Sequence, residues 1–284
     1  MIEPRLKIRG RISFLLFWVI LSLPGIPATA DDRGWENLDT GLQIGEFFPK
    51  EKSLLWNDKI IILRIDPEFY DLKLLCASEH DGSPRSAKKW CQDFHLAAAI
   101  NASMYQDENA LMSTGYMKNF HHVNNPSINE GFGALLLFNP SDPDLPRVDI
   151  LDRRINRDWR TIMDRYRTVV QNYRMISSGE KRGWPQQKRG YSIASLGMDA
   201  QGRVLFILGL APRSAHDFII NLLSLPLDIR EAMYLEGGHE ATLYLNIGTK
   251  TLWLTGGHDT DFGGDDEAEG AGAIPNVIGI AKRR

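Results

Sequence analysis

Apolar and polar positions along the chain alternate in short runs separated by turn-forming residues, a pattern that predicts many strands and few helices. Leu42–Phe48, Ile60–Asp66 and Phe69–Cys76 are rich in β-branched, aromatic and aliphatic residues, and each is bounded by turn formers. Leu96–Ile100 and Phe132–Phe138 are uninterrupted apolar runs, as suits strands covered on both faces. Ser192–Met198 and Val204–Leu210 flank Asp199-Ala200-Gln201-Gly202 and predict a hairpin. Helical spacing marks two segments, one capped by Ser86 and running to Phe94, the other capped by Ser214 with Asp217 in its first turn. Trp159, Ile162, Met163, Tyr166 and Val170 also fall at helical spacing, so 156–171 predicts a helix or a winding surface segment. Residues 233–245 read as a strand, a tight glycine turn and a returning strand, a β-hairpin with a polar tip. Together these elements predict an α+β fold: one domain with a mixed or antiparallel sheet and a few packed helices.

The N-terminus follows a different pattern. Arg5, Lys7, Arg9 and Arg11 precede an apolar run from Ile12 to Leu23, then Pro24, Pro27 and Ala28-Thr29-Ala30. This order predicts a signal peptide over residues 1–30, cleaved after Ala30, with the domain in 31–284. The run is shorter than the roughly 20 residues of a membrane span, so the mature chain is expected to be exported, periplasmic or secreted, with no span. Formal charge moves from −3 for the whole chain to about −6 without the leader, which disfavours nucleic acid as a partner. Cys76 and Cys91 are the only cysteines. In an oxidising compartment they are expected to form a disulfide, the alternative being two buried thiols.

Candidate chemistry concentrates in Tyr234-Leu235-Glu236-Gly237-Gly238-His239-Glu240, where glycines leave room for two acids, an imidazole and exposed peptide N–H groups. With Ala99-Ile100-Asn101-Ala102-Ser103-Met104-Tyr105 and Leu196-Gly197-Met198-Asp199, in this order and spacing, the chain resembles the phosphodiester glycosidase (uncovering-enzyme-like) family over about residues 60–281. It looks like an exported bacterial subgroup in which Glu236 replaces the family's usual Asp, and His239-Glu240 replace Gly-Ser. The first motif departs too, with Ala102 and Tyr105 in place of a glycine and another aromatic. The basic residue often found before the second motif is absent at Ser192, Ile193 and Ala194.

The resemblance implies a hydrolase acting on a sugar phosphodiester or a related cell-envelope glycan linkage, with a carbohydrate or sugar-phosphate as partner. Glu236 and Glu240 are the candidate acid and base, with Glu130 competing for the second role and His239 a candidate proton carrier. Asn101 and Arg174 can orient charged oxygens, Gly237 and Gly238 can present backbone donors, and Trp184 can stack on a sugar face. Arg174 equally suits a structural salt bridge, and Trp184 a lid over a core edge. No motif specifies a cofactor. A divalent cation such as Ca²⁺ is conceivable at His258–Glu267, although the order of an EF-hand loop fails there, and His121-His122 would need a third ligand from elsewhere. A non-catalytic glycan-binding module, or a polysaccharide assembly factor, is the alternative function.

Overall fold

The computed structural model describes Met1 and residues 34–49, 58–257 and 272–283. The expected signal peptide and the acidic stretch His258–Glu267 lie outside the described residues. Along the chain come strands β1 (Trp35–Asp39), β2 (Leu42–Phe47), β3 (Ile60–Ile65) and β4 (Tyr70–Cys76), then helix α1 (Ala87–Phe94) and strand β5 (Ala98–Asn101). Next are β6 (Met117–Asn119), β7 (His122–Asn125), β8 (Ala134–Pro140), β9 (Val148–Asp152), helix α2 (Trp159–Met163), β10 (Tyr166–Asn172), β11 (Arg174–Ser177) and β12 (Glu180–Lys181). The hairpin β13 (Tyr191–Asp199) and β14 (Val204–Arg213) leads to helix α3 (Ala215–Ser224). The chain closes with β15 (Ile229–Gly237), a 3-10 turn (Gly238–Glu240), β16 (Thr242–Ile247), β17 (Lys250–Thr255) and β18 (Asn276–Lys282).

These strands form three sheets. Eight strands lie in the order β1-β2-β3-β14-β13-β15-β11-β12, five in the order β7-β6-β10-β8-β9, and five in the order β17-β16-β5-β18-β4. Neighbours are antiparallel throughout the described residues. The architecture is therefore mostly antiparallel sheet with few helices, richer in strand than an even α+β fold and compatible with it.

Strand alternation explains how the sheets meet. Leu63 and Phe206 from the large sheet, Leu74 and Ile100 from the second, and Leu136 and Val170 from the third bury themselves in one common core. Each sheet's other face takes one helix: Phe218 and Leu222 of α3 cover the large sheet, Trp90 of α1 covers the sheet of β5, and Trp159 of α2 covers the third. Such side chains stabilise the fold by about 1.5–3 kcal/mol each when removed from water. The predicted caps form, with Ser86 Oγ accepting from Lys89 N and Ser214 Oγ from Asp217 N.

Three sequence expectations are corrected. The helix over 156–171 shrinks to the five residues of α2, because Tyr166–Asn172 has two strands, β6 and β8, to pair with. The 233–245 hairpin is not a hairpin. Strand β15 belongs to the large sheet and β16 to the sheet of β5, so the glycine turn carries the chain between sheets. The disulfide is also absent: Cys76 and Cys91 are free and buried. Cys76 follows Leu72 and Leu74 onto the common-core face, where its thiol meets Met117 Sδ at 3.7 Å, whereas Cys91 of α1 lies with Trp90 on the opposite face. The sheet itself separates them, and burial raises the Cys76 thiol far above its ordinary range and Cys91 to about 12.

Candidate functional site

Strand β5 ends at Asn101, a residue only 2% exposed whose side chain reaches across to the inter-sheet turn. Its Nδ2 donates to the Glu240 carbonyl at 2.6 Å and its Oδ1 accepts from Thr242 N at 2.8 Å. Asn101 therefore fastens the last residue of the turn and the start of β16 to the end of β5. Two of the three motifs that carry the family resemblance meet here. From the same motif as Asn101, the Tyr105 hydroxyl donates to Glu240 Oε1 at 3.2 Å. Burial, followed by the charge of Glu240, pushes the Tyr105 phenol up to about 12, so it remains a donor at neutral pH.

Glu236 enters from the other side. Between β13 and β15 the register shifts, Ser195 facing Tyr234 while Ala194 faces Glu236, so Leu235 is the extra residue of a bulge. The bulge is satisfied: Asn172 Nδ2 donates to the Leu235 carbonyl at 3.1 Å and Tyr234 N donates to the Tyr173 carbonyl at 3.0 Å. Bulges bend a strand and re-aim the side chains beyond them, and Glu236 is the next residue along. Its Oε1 accepts from Gly237 N at 2.9 Å. Burial is the main cause that raises the Glu236 carboxyl to about 8, and the charge of Glu240 adds to it, against the opposing Gly237 N–H.

The two glycines have separate reasons. Gly238 adopts φ +72°, in the region where a side chain is strained. Gly237 is extended, but a Cβ there would stand 2.3 Å from the Tyr234 hydroxyl and 2.6 Å from the Tyr191 ring. Both phenol rings therefore crowd Gly237, and burial raises the Tyr234 phenol far above its ordinary range. Aromatic rings thus form the wall behind Glu236.

A family model described as phosphodiester glycosidase matches residues 94–281, more than half of the chain. The chain belongs to the phosphodiester glycosidase family. No curated protein matches it in sequence. Among solved structures it is similar to the zebrafish N-acetylglucosamine-1-phosphodiester alpha-N-acetylglucosaminidase catalytic domain auto-inhibited by pro-peptide. That likeness has a TM-score of 0.56 at 13% identity, over 85% of this chain and 82% of that one. It is also similar to a hypothetical protein from Synechocystis, with a TM-score of 0.58 at 12% identity, over 88% of this chain and 63% of that one. At such identities the likeness concerns the fold alone.

Within this phosphodiester glycosidase domain the residues expected at the site divide into two groups. Asn101, Glu236, Gly237, Gly238 and Glu240 converge on the inter-sheet turn, and His239 is on the same turn but exposed. Arg174 and Trp184 line a neighbouring cavity instead, with the Trp184 indole N–H donating to the Arg174 carbonyl at 2.9 Å. The Arg174 guanidinium forms an ion pair with Asp152 of β9. The Trp184 ring meets Tyr173 at 5.3 Å and Tyr234 at 5.7 Å, so an aromatic row joins the two groups. Glu130, the competing acid, has its side chain 78% exposed and pairs with Arg153. His122 meets Ser78 Oγ at 3.0 Å, and among the described residues no group of three or more His, Cys, Asp or Glu is placed to hold a metal.

Tyr105, Tyr191 and Tyr234 were not among the residues expected from sequence to form the site. Tyr105 and Tyr234 lie inside the two motifs, which is a usable signal. Tyr191 stands one residue before the stretch where the family's basic residue is missing, and only the pairing of β13 with β15 brings it to Gly237.

Proposed function

We propose that the protein is a hydrolase that cleaves the bond between a sugar and a phosphate, or a related cell-envelope glycan linkage, and that it works outside the cytoplasm once its leader is removed. The observation that carries this reading is the Glu236 carboxyl, raised to about 8 beside a second carboxyl, Glu240. A carboxylic acid that keeps its proton at neutral pH can deliver it to the oxygen leaving the sugar, and such general acid catalysis accounts for roughly 10²–10⁴ in rate. Glu240 then supplies the second carboxyl that glycosidic cleavage ordinarily uses, as base or nucleophile, with the Tyr105 hydroxyl donating to it. Asn101 acts as a positioning residue. By holding the Glu240 carbonyl and Thr242 N it fixes where the Glu240 side chain starts. Exposed His239 can exchange protons with the solvent side of the turn.

The family membership supports the reaction class, and no helix of the described residues is long and apolar enough to cross a membrane. The test is turnover of N-acetylglucosamine phosphodiesters and envelope-type glycan phosphodiesters by wild type and Glu236→Gln. Loss of turnover in a folded variant supports the assignment, and wild-type turnover in that variant removes it.

A further inference from the structure

Across the Tyr234 ring from Glu236 lies a cavity of about 240 Å³. Arg154, Tyr173, Arg174, Arg182, Trp184 and Gln187 line it, and among the described residues no carboxylate does. Arg174 is the buried member, its side chain 8% exposed, and its charge is met from β9 by Asp152. Its Nε and the Nε of Arg182 are buried with no hydrogen-bond partner among the described residues. Unpaired buried donors are rare and costly, and two of them on residues that line one cavity mark a place where donors outnumber acceptors. Arg154 donates to the Gly131 carbonyl at 3.0 Å and has no carboxylate partner among the described residues, while Arg182 has only exposed Glu180 at 3.2 Å. Burial and then the charge of Arg182 disfavour the Arg174 cation, and Glu231 favours it.

The remaining wall is aromatic. Tyr173 is 39% exposed and stands edge-on to Trp184, which is fixed by its bond to the Arg174 carbonyl and by Lys181 Nζ donating to its own carbonyl at 3.0 Å. Rings held rigidly beside guanidinium groups suit a sugar ring bearing an anion, because the rings take the apolar C–H face and the planar forks take the oxygens.

We infer that this cavity is a subsite for an acidic glycan, in which the arginines bind a carboxylate or phosphate substituent and Tyr173 and Trp184 hold the sugar ring that bears it. The inference rests on Glu236 marking the cleavage point. Because the Tyr234 ring stands between Trp184 and Gly237, the group bound here is a second anion, separate from the one at the scissile bond.

Calorimetric titration with three matched oligosaccharides, one neutral, one carrying a uronic carboxylate and one carrying a phosphate, tests it. Wild type and Glu236→Gln are expected to bind one acidic ligand about tenfold more tightly than the neutral one, and the tighter of the two identifies the anion. Arg154→Gln/Arg182→Gln, with circular dichroism and Tm unchanged, is expected to lose that difference. Arg182→Gln alone, whose side chain is 34% exposed and replaceable without opening the core, is expected to lose part of it. Equal affinity for all three ligands in wild type, or an anion preference that survives in the folded double variant, overturns the subsite. Anion preference without any turnover upholds the subsite and removes the hydrolase reading, whereas turnover without anion preference does the reverse.

Discussion

At the inter-sheet turn a carboxylic acid sits half-buried with one backbone N–H and a second carboxyl beside it, while across the Tyr234 ring a guanidinium is buried with a carboxylate, Asp152, against it. Desolvation penalises the charged form of both groups, but they respond differently. Glu236 can keep its proton, and no cation among the described residues pairs with it, which turns burial into a store of acidity. Arg174 cannot lose its proton at any ordinary pH, so the protein supplies a counter-charge and burial becomes a fixed positive surface. The first arrangement suits proton delivery and the second suits recognition. A site that separates these tasks on two sides of one aromatic row can vary its ligand without touching its acid.

The largest expected effect falls on the acid. Glu236→Gln should lower turnover by roughly 10²–10⁴ while leaving ligand affinity near wild type, checked by steady-state kinetics beside calorimetry. Its stability should move with pH in a defined direction. Because folding raises this carboxyl, the native state binds the extra proton, so wild-type stability falls as pH rises from the ordinary carboxylate range through about 8. The variant lacks that slope, and its Tm should exceed the wild-type value at pH 9 but not at pH 5.

Next comes the counter-charge. Asp152→Asn removes the direct ion-pair partner of the buried Arg174 guanidinium, leaving only the favourable charge of Glu231, and should cost about 2–4 kcal/mol in denaturant unfolding. If the variant is as stable as wild type, the two regions do not differ in the way described. A smaller effect is expected at the clamp. Asn101→Ala removes two hydrogen bonds to the turn backbone and should cost about 1–3 kcal/mol, with a fall in turnover that Asn101→Asp, which keeps only the acceptor to Thr242 N, does not fully restore.

Much of this was legible in the sequence, for reasons that can be named. Strand runs such as Ile60–Ile65 and the hairpin β13–β14 carry their own pattern and turn, and Ser86 and Ser214 announce their helices with a capping oxygen. Asn101 and Glu236 stood out by order and spacing, and the structure brings them to one turn. What local pattern could not supply was partnership. Residues 233–245 have the composition of a hairpin whether β16 returns along β15 or leaves for another sheet, and only β5 as a competing partner decides it. Tyr166 and Val170 fall at helical spacing in the sequence, and nothing local reveals that Tyr166–Asn172 has strand partners, β6 and β8, elsewhere in the chain. The cysteines failed on facing, since alternation sends Cys76 with Leu72 and Leu74 while α1 packs on the far side of the sheet. Arg174 is readable as an oxygen-binding fork or a salt bridge; the structure shows it paired with Asp152 and lining a cavity.

The most direct test is a titration of Glu236 itself, by ¹³C NMR of the labelled carboxyl in wild type and in Glu240→Gln. A midpoint near 8 in wild type, moving downward once the neighbouring charge is removed, is the predicted result. A midpoint in the ordinary carboxylate range in the wild-type protein would contradict the assignment of Glu236 as the proton donor.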